Sequence, residues 1–119
     1  MVVLQGDIFW ADLPAPAGSE TGFRRPVVVV QNNLLNRSPI HTVVACAVTS
    51  SLRRADAPGN VVLPKGEANL PVRSVVDVTQ IVTADKARLT EKIGSLPAKR
   101  LAEVLSGVRF VISPLEAIE

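Results

Sequence analysis

The chain has 119 residues, enough for one domain with a single core and too few for two. Hydrophobic residues form 47% of it and aromatic residues only 3%, so the core must consist mainly of Val, Leu, Ile and Ala. No apolar run reaches the length of a membrane span, the N-terminus lacks a secretory pattern, and the single Cys46 excludes an intrachain disulfide, so we expect a cytoplasmic protein.

The net charge of +2 is distributed unevenly along the chain. Residues 1–20 carry three acidic side chains and no basic one, whereas residues 21–75 carry seven basic against two acidic side chains. Residues 76–119 balance at zero. A localised positive surface attracts a phosphate backbone, although a solvated basic surface without function explains the same pattern.

The first half of the chain predicts three strands. Residues 8–13 alternate, which places Phe9 and Trp10 on opposite faces of a strand. A glycine-containing loop at 18–22 follows, and we expect it to be mobile unless something binds it. The four valines at 27–30 indicate a strand buried on both faces, because β-branched residues suit a pleated sheet. Residues 31–37 indicate one helical turn or a tight loop, and 42–49 indicate a central strand beside 27–30.

The second half predicts further strands at 60–63, at 74–78 continuing through 80–82, and, more weakly, at 89–93. The one long helix runs from about 97 to about 112. Its apolar residues recur at helical spacing and form one stripe: Leu101, Val104, Leu105, Val108 and Ile112. Many short strands with one terminal helix favour a small, strongly curved antiparallel sheet in a single domain, 1–119.

The sequence lacks several kinds of catalytic motif. It contains one histidine, no cluster of ligands at metal-binding spacing and no glycine-rich phosphate loop, which disfavours a metal-dependent nuclease or a kinase. Cys46 lies in an apolar strand and His41 at its entrance, so we expect a buried thiol and a surface imidazole. Chemistry in which the substrate supplies its own nucleophile remains open.

Short motifs spread over nearly the whole chain make this reading more definite. In order they are Gly6-Asp7-Ile8, Trp10-Ala11-Asp12-Leu13, Gly18-Ser19-Glu20, Arg25-Pro26, Asn36-Arg37, Val48-Thr49-Ser50, Asp77-Val78-Thr79-Gln80-Ile81, Asp85-Lys86 and Arg88-Leu89. In this order and spacing the chain resembles the MazF/PemK family of toxin endoribonucleases. The resemblance implies an α+β, mostly β fold, a small SH3-like barrel of antiparallel strands with a C-terminal helix, and a homodimer.

The resemblance also implies the site. By this resemblance, the 2′-hydroxyl of an RNA attacks the adjacent phosphorus and leaves a 2′,3′-cyclic phosphate and a 5′-hydroxyl, without metal or cofactor. Arg25 is then expected to stabilise the transition-state charge, Thr49 to orient the scissile phosphate, and Glu20 to position groups or transfer a proton. Arg25 lies just before one predicted strand and Thr49 closes another, so antiparallel pairing brings them together. The candidate RNA contacts are Ser19, Phe23, Arg24, Gln31, Asn36, Ser50, Ser51, Arg53, Arg54 and Gln80.

The implied partners are single-stranded mRNA and a small acidic antitoxin, similar to MazE, that occupies the basic groove. The sequence departs from the commonest family form at Phe23-Arg24 and at 51–59, which leaves the RNA target sequence open. The alternative is a non-catalytic module on the same fold, either a gyrase inhibitor resembling CcdB or an RNA binder. Arg25 together with Thr49 favours the enzyme, since a pure binder does not need both at one site.

Overall fold

The computed structural model describes residues 1–114, and the last five residues of the domain assigned to 1–119 lie outside the described part. Six strands form one antiparallel sheet that curls into a half-barrel, closed at one side by a C-terminal helix, which confirms the expected fold class. The strand order is β4-β5-β3-β2-β1-β6. The strands are β1 (Asp7–Leu13), β2 (Phe23–Val29), β3 (Thr42–Thr49), β4 (Val61–Leu63), β5 (Ser74–Asp85) and β6 (Leu89–Ser95).

Helical segments are short apart from the last one. The predicted turn at 31–37 contains α1 (Asn33–Asn36), which begins where the Asn32 side chain accepts a hydrogen bond from the Leu35 backbone N–H at 3.0 Å. The C-terminal helix, α2, spans Ala98–Ile112 and follows Pro97, as expected. The 3₁₀ turns are Leu52–Arg54, Glu67–Asn69 and Lys86–Arg88. In the described residues, no helix is long and apolar enough to cross a membrane.

The valine run is buried on both faces, as its composition predicts, because the curled sheet has an apolar cluster on each side. Val28 and Val30 pack into one cluster and Val27 and Val29 into the other. Phe9 is fully buried and Trp10 only partly, so the two rings face opposite sides. The central strand β3 pairs with β2 through Val27 and Ala47, through Val28 and Cys46, and through Val29 and Ala45.

Helix α2 packs its apolar stripe against the first cluster, with Val104 fully buried. The end of the predicted stripe departs from this, because the Ile112 side chain is 68% exposed. The helix approaches the β4 side so closely that a Cβ on Gly107 would lie 2.2 Å from the Gly59 carbonyl oxygen. Glycine is therefore required at Gly107 by packing.

The two predicted segments at 74–78 and 80–82 belong to one long strand, β5, that contains an irregularity. Cys46 pairs with Ile81 while the next residue, Ala47, pairs with Asp77, so residues 78–80 bulge out of the ladder. Side chains satisfy two of the freed N–H groups. Asn60 Oδ1 accepts a hydrogen bond from the Val78 N–H at 2.9 Å. Asp77 Oδ1 accepts one from the Thr79 N–H at 3.1 Å.

Candidate active site

Arg25 lies inside β2, not before it, because the ladder with β1 extends the strand back to Phe23 and pairs Arg25 with Ala11. The start of this strand, predicted from the valine run alone, was therefore wrong by several residues. The guanidinium is partly buried, and its Nε donates a hydrogen bond to the Gly22 carbonyl at 3.1 Å. This bond fixes one edge of a planar, permanently charged group, whose terminal N–H groups can then act as a fork toward an anion.

Thr49 ends β3 on the same face of the sheet as Arg25. The β2–β3 ladder ends at the pair Val27 and Ala47, and Arg25 and Thr49 each lie two residues beyond that pair. Both side chains line the same groove. The Thr49 hydroxyl oxygen accepts a hydrogen bond from the Ser51 N–H at 3.1 Å. The hydroxyl proton stays free to donate, so this end of the two strands presents a cation and a hydroxyl donor side by side.

An open groove of about 290 Å³ surrounds this pair. We call it the arginine groove, and it contains three arginines. Its lining residues are Ser19, Glu20, Thr21, Arg25, Ala47, Thr49, Ser51, Arg53, Arg54, Asp77 and Gln80. The structure thus brings together all three candidate catalytic residues and five of the ten candidate RNA contacts, from segments that are far apart in sequence.

Asp77 is the charged groove residue that the sequence analysis missed. Its carboxylate is only 6% exposed and contacts Arg54, whose Nε donates to Oδ2 at 2.9 Å and whose terminal nitrogen lies 2.9 Å from the same oxygen. Oδ1 accepts from the Thr79 N–H at 3.1 Å and the Thr79 hydroxyl at 2.7 Å. Burial alone raises the pKa of Asp77, but the hydrogen bonds from Thr79 and the charge and hydrogen bond of Arg54 outweigh it and hold the pKa below its ordinary value of 3.8.

These contacts fix the Arg54 side chain, whereas the Arg53 side chain makes no hydrogen bond or ion pair within residues 1–114. The Arg54 side chain also donates to the Thr79 hydroxyl at 3.3 Å, and its own backbone carbonyl accepts from the Asn60 side-chain amide at 2.9 Å. A carboxylate inside the apolar run Val75–Val78 needs a partner when it is buried. The sequence therefore signalled that Asp77 needs a cationic partner, but it did not show that this partner is Arg54.

The loop at 18–22, expected to be mobile, is held at several points. The Thr21 N–H donates to the Gln80 side-chain oxygen at 3.1 Å, which ties the loop to the β5 bulge. The Phe23 N–H donates to the Pro14 carbonyl at 3.3 Å. A Cβ on Gly22 would lie 2.5 Å from Pro16 Cδ, so only glycine fits there. Glu20 is carried on this loop at the rim of the arginine groove.

Gln31 and Asn36 lie elsewhere, and we remove them from the candidate RNA contacts. Both are only 7% exposed, and the Gln31 amide donates to Asn36 Oδ1 at 2.9 Å and to the Thr42 carbonyl at 3.2 Å. The Asn36 amide in turn donates to the Gln31 carbonyl at 2.8 Å. These amides connect α1 to β3, so their polar groups are used within the fold and do not reach base edges.

The remaining three candidates flank the groove. The Phe23 side chain is 62% exposed, and its backbone is left-handed with φ of 59°. The Arg24 guanidinium lies 4.5 Å from the centroid of the Trp10 ring, a cation–π contact that the sequence did not indicate. Ser50 lines a second, mostly apolar pocket that adjoins the groove. Within residues 1–114, no group of three metal-ligating side chains lies close enough together to hold a metal ion.

Comparison with known families gives one match that covers most of the chain. Residues 4–112 match the family model described as PemK-like, MazF-like toxin of type II toxin-antitoxin system. The endoribonuclease MazF6 of Mycobacterium tuberculosis is 46% identical over 112 residues, which cover 94% of this chain and 98% of that protein.

Solved structures agree with this match. The crystal structure of MazF from Deinococcus radiodurans superposes with a TM-score of 0.78 at 31% identity, covering 96% of this chain and 99% of that one. A crystal structure of MazE-MazF from the same organism gives a TM-score of 0.73 at 30% identity, covering 94% and 96% of the two chains.

Proposed function

This chain belongs to the PemK-like, MazF-like family of toxins of type II toxin–antitoxin systems, and on that premise we propose that it is an endoribonuclease toxin that cleaves single-stranded mRNA in the arginine groove. The observation that carries the proposal is that Arg25 of β2 and Thr49 at the end of β3 line one groove, which holds two more arginines. A cation fork and a hydroxyl on rigid strands suit a phosphate held in line for attack.

In the proposed reaction, the 2′-oxygen of the RNA bonds to the adjacent phosphorus while the bond from phosphorus to the 5′-oxygen breaks. Glu20 accepts the proton of the 2′-hydroxyl, and the leaving 5′-oxygen takes a proton from water while Arg25 donates a hydrogen bond to it. Arg25 and Thr49 stabilise the charge that grows on the phosphoryl oxygens. The products are a 2′,3′-cyclic phosphate and a 5′-hydroxyl, and DNA is not a substrate because it lacks the nucleophile.

The rest of the groove supplies RNA contacts. Arg53 and Arg54 hold flanking phosphates, while Ser19, Ser51 and Gln80 donate and accept hydrogen bonds at the rim. Outside the groove, the exposed Phe23 ring can stack on a base, and Arg24 and Ser50 lie next to the same path. Selection among RNA sequences falls to these groups, since the catalytic pair contacts only phosphate.

We propose that the partner of this toxin is a small acidic antitoxin similar to MazE, whose carboxylates compete with RNA for the three arginines of the groove. A homodimer and a cytoplasmic site of action, where mRNA is available, complete the proposal. The solved MazE-MazF structure from Deinococcus radiodurans supports the antitoxin partner.

The test uses purified protein with a mixed-sequence RNA and the matching DNA, both in EDTA. We expect RNA to be cut at a few sites with cyclic-phosphate ends and DNA to stay intact. Arg25→Ala should lower the rate about 100- to 1,000-fold, the usual loss for one donor to a developing oxyanion. Arg109→Ala, which removes the same charge from an exposed position on α2, should cleave normally.

Thr49 offers a second comparison within the same assay. Thr49→Ser keeps the hydroxyl and should retain most activity, whereas Thr49→Val keeps the shape and should lose it. Intact RNA across varied sequences would reject the endoribonuclease, and a gyrase assay would then test the non-catalytic alternative. Equal activity of the serine and valine variants would remove Thr49 from the mechanism.

A further inference from the structure

A second pocket, of about 270 Å³, adjoins the arginine groove and is used by no step of the proposed reaction. We call it the Trp10 pocket. Its walls are mainly apolar and come from Trp10, Pro26, Val48, Leu70, Val72 and Ile93. Arg25 and Thr49 line both this pocket and the groove, so the two are continuous through the catalytic pair.

The strand geometry explains how one pair of residues borders two sites. Pro26 follows Arg25 in β2, and Val48 precedes Thr49 in β3. Successive side chains of a strand point to opposite faces. The catalytic pair faces the groove, while its neighbours face the Trp10 pocket. A nucleotide whose phosphate lies on Arg25 can therefore turn its base around the sheet end into the pocket.

The chemistry of the pocket favours a flat, uncharged ring. Its volume lies slightly below the range of roughly 300–1,000 Å³ typical of sites for whole drug-sized ligands, which suits a fragment such as one nucleobase. One wall is an indole, the side chain on which bases stack well, and Arg24 fixes that ring from 4.5 Å above. At the margin, the hydroxyls of Thr49, Ser50 and Ser74 provide the few polar groups of the lining besides Arg25.

We propose that the Trp10 pocket is a base-binding subsite for one of the two nucleotides that flank the scissile phosphate. This inference rests on the proposed endoribonuclease function and adds a position of the substrate to it. Because the walls are apolar and few groups can read a base edge, the subsite recognises the presence of a base more strongly than its identity. It anchors the substrate, whereas the groove performs the chemistry.

Trp10 makes the proposal directly measurable, since the chain contains one Trp and no Tyr. The cut is first mapped with RNA, and a non-cleavable analogue is made with a 2′-deoxy nucleotide at that position. The analogue is then prepared with one abasic nucleotide at each position on either side of the cut. Binding is followed by intrinsic fluorescence, which reports the Trp10 environment alone.

We expect one abasic position next to the scissile phosphate to abolish the fluorescence change and to weaken binding about 5- to 150-fold, the range for loss of one stacked base. Val72→Phe fills the pocket from a side chain that is 49% exposed, so the fold tolerates it. This variant should bind the intact analogue as weakly as the wild type binds the abasic one, with no further loss when both changes are combined. Val111→Phe, from an exposed position on α2, is the matched control and should behave as wild type.

Three results would overturn the proposal. If RNA is cleaved but no abasic position changes binding or fluorescence, the subsite does not exist while the endoribonuclease stands. If Val72→Phe binds and cleaves RNA normally but no longer binds the acidic antitoxin, the pocket belongs to the protein partner. If the wild-type protein cleaves no RNA at all, the proposed function fails and the subsite with it.

Discussion

Replacing Asp77 by Asn should both destabilise the protein and weaken substrate binding, because one carboxylate supports the β5 bulge and the groove at once. The amide oxygen of Asn can take the place of Oδ1 and keep both hydrogen bonds from Thr79. The NH₂ group of Asn then replaces Oδ2, which lies 2.9 Å from the Arg54 guanidinium in the wild type. Because a guanidinium has only donors, it cannot form a hydrogen bond with this NH₂ group. The substitution thus removes the two charged contacts and leaves the others intact.

The size of the effect depends on what Arg54 can recover from solvent. Breaking a fully buried ion pair costs about 3–5 kcal/mol, whereas an exposed pair contributes about 0–1 kcal/mol. Asp77 is 6% exposed but Arg54 is 45% exposed and can be rehydrated, so the cost lies between these limits. We expect a loss of about 2 kcal/mol in the free energy of unfolding, or roughly 8 °C in Tm for a domain of this size.

The pH dependence of this loss has a definite sign. The pKa of Asp77 is depressed in the folded state, so its contribution is fully present above the unfolded-state value of about 3.9 and is lost as pH falls through the lower folded value. The difference in stability between wild type and Asp77→Asn should therefore be constant from about pH 5 to pH 8 and shrink below about pH 4.

The assay combines urea unfolding over this pH range with cleavage kinetics at neutral pH. Since Arg54 loses its fixed orientation but the catalytic pair is untouched, KM should rise about tenfold with kcat nearly unchanged, the signature of lost substrate binding. Asp56→Asn removes the same charge from an exposed position on the neighbouring connection and is the control. Equal stability of Asp77→Asn and wild type at pH 7 would refute the role assigned to the Asp77–Arg54 pair.

Two further predictions concern the loop and the core. Gly22→Ala should lower kcat about 10- to 100-fold, because the new Cβ would lie 2.6 Å from the Pro14 carbonyl oxygen and would shift the loop. The shift would move the Gly22 carbonyl that accepts the hydrogen bond from Arg25 Nε. Unchanged kinetics would mean that this hydrogen bond is dispensable. Cys46 is fully buried, and desolvation together with the charge of Asp77 raises the pKa of its thiol to about 12. The thiol should therefore not react with a thiol reagent at pH 8 until the protein unfolds in guanidinium. Rapid labelling of the native protein would contradict the burial.

The sequence predicted the apolar elements well because their composition and periodicity carry the information. The run at 42–49 was assigned with the bounds that β3 has, and α2 begins one residue after the expected start. The beginning of β2 was missed, since Phe23, Arg24 and Arg25 carry no pattern of a buried strand and are held there by the ladder with β1. Pairing with another segment decided a structure that the local sequence did not favour.

The site was predicted in part, and the errors have a common physical origin. Polar side chains were assigned to RNA because amides can read base edges and arginines can hold phosphates. Both roles require exposure, which Arg53 and Ser50 have and Gln31 and Asn36 lack. Those two amides are buried because they satisfy backbone groups of β3 and of each other. Which polar residue faces solvent depends on tertiary contacts, and a single sequence does not contain them.

The β5 bulge links the stability of the fold to the arrangement of charged side chains in this groove. A bulge frees backbone N–H groups that must find partners, and the Thr79 N–H finds Asp77. A carboxylate buried for that purpose must be paired with a cation, and Arg54 supplies the charge. The same bulge carries Gln80, which holds the loop bearing Glu20. Removing the bulge would restore a regular ladder, but it would release Arg54 and the loop together. The irregular backbone thus pre-organises the charges that we propose bind phosphate.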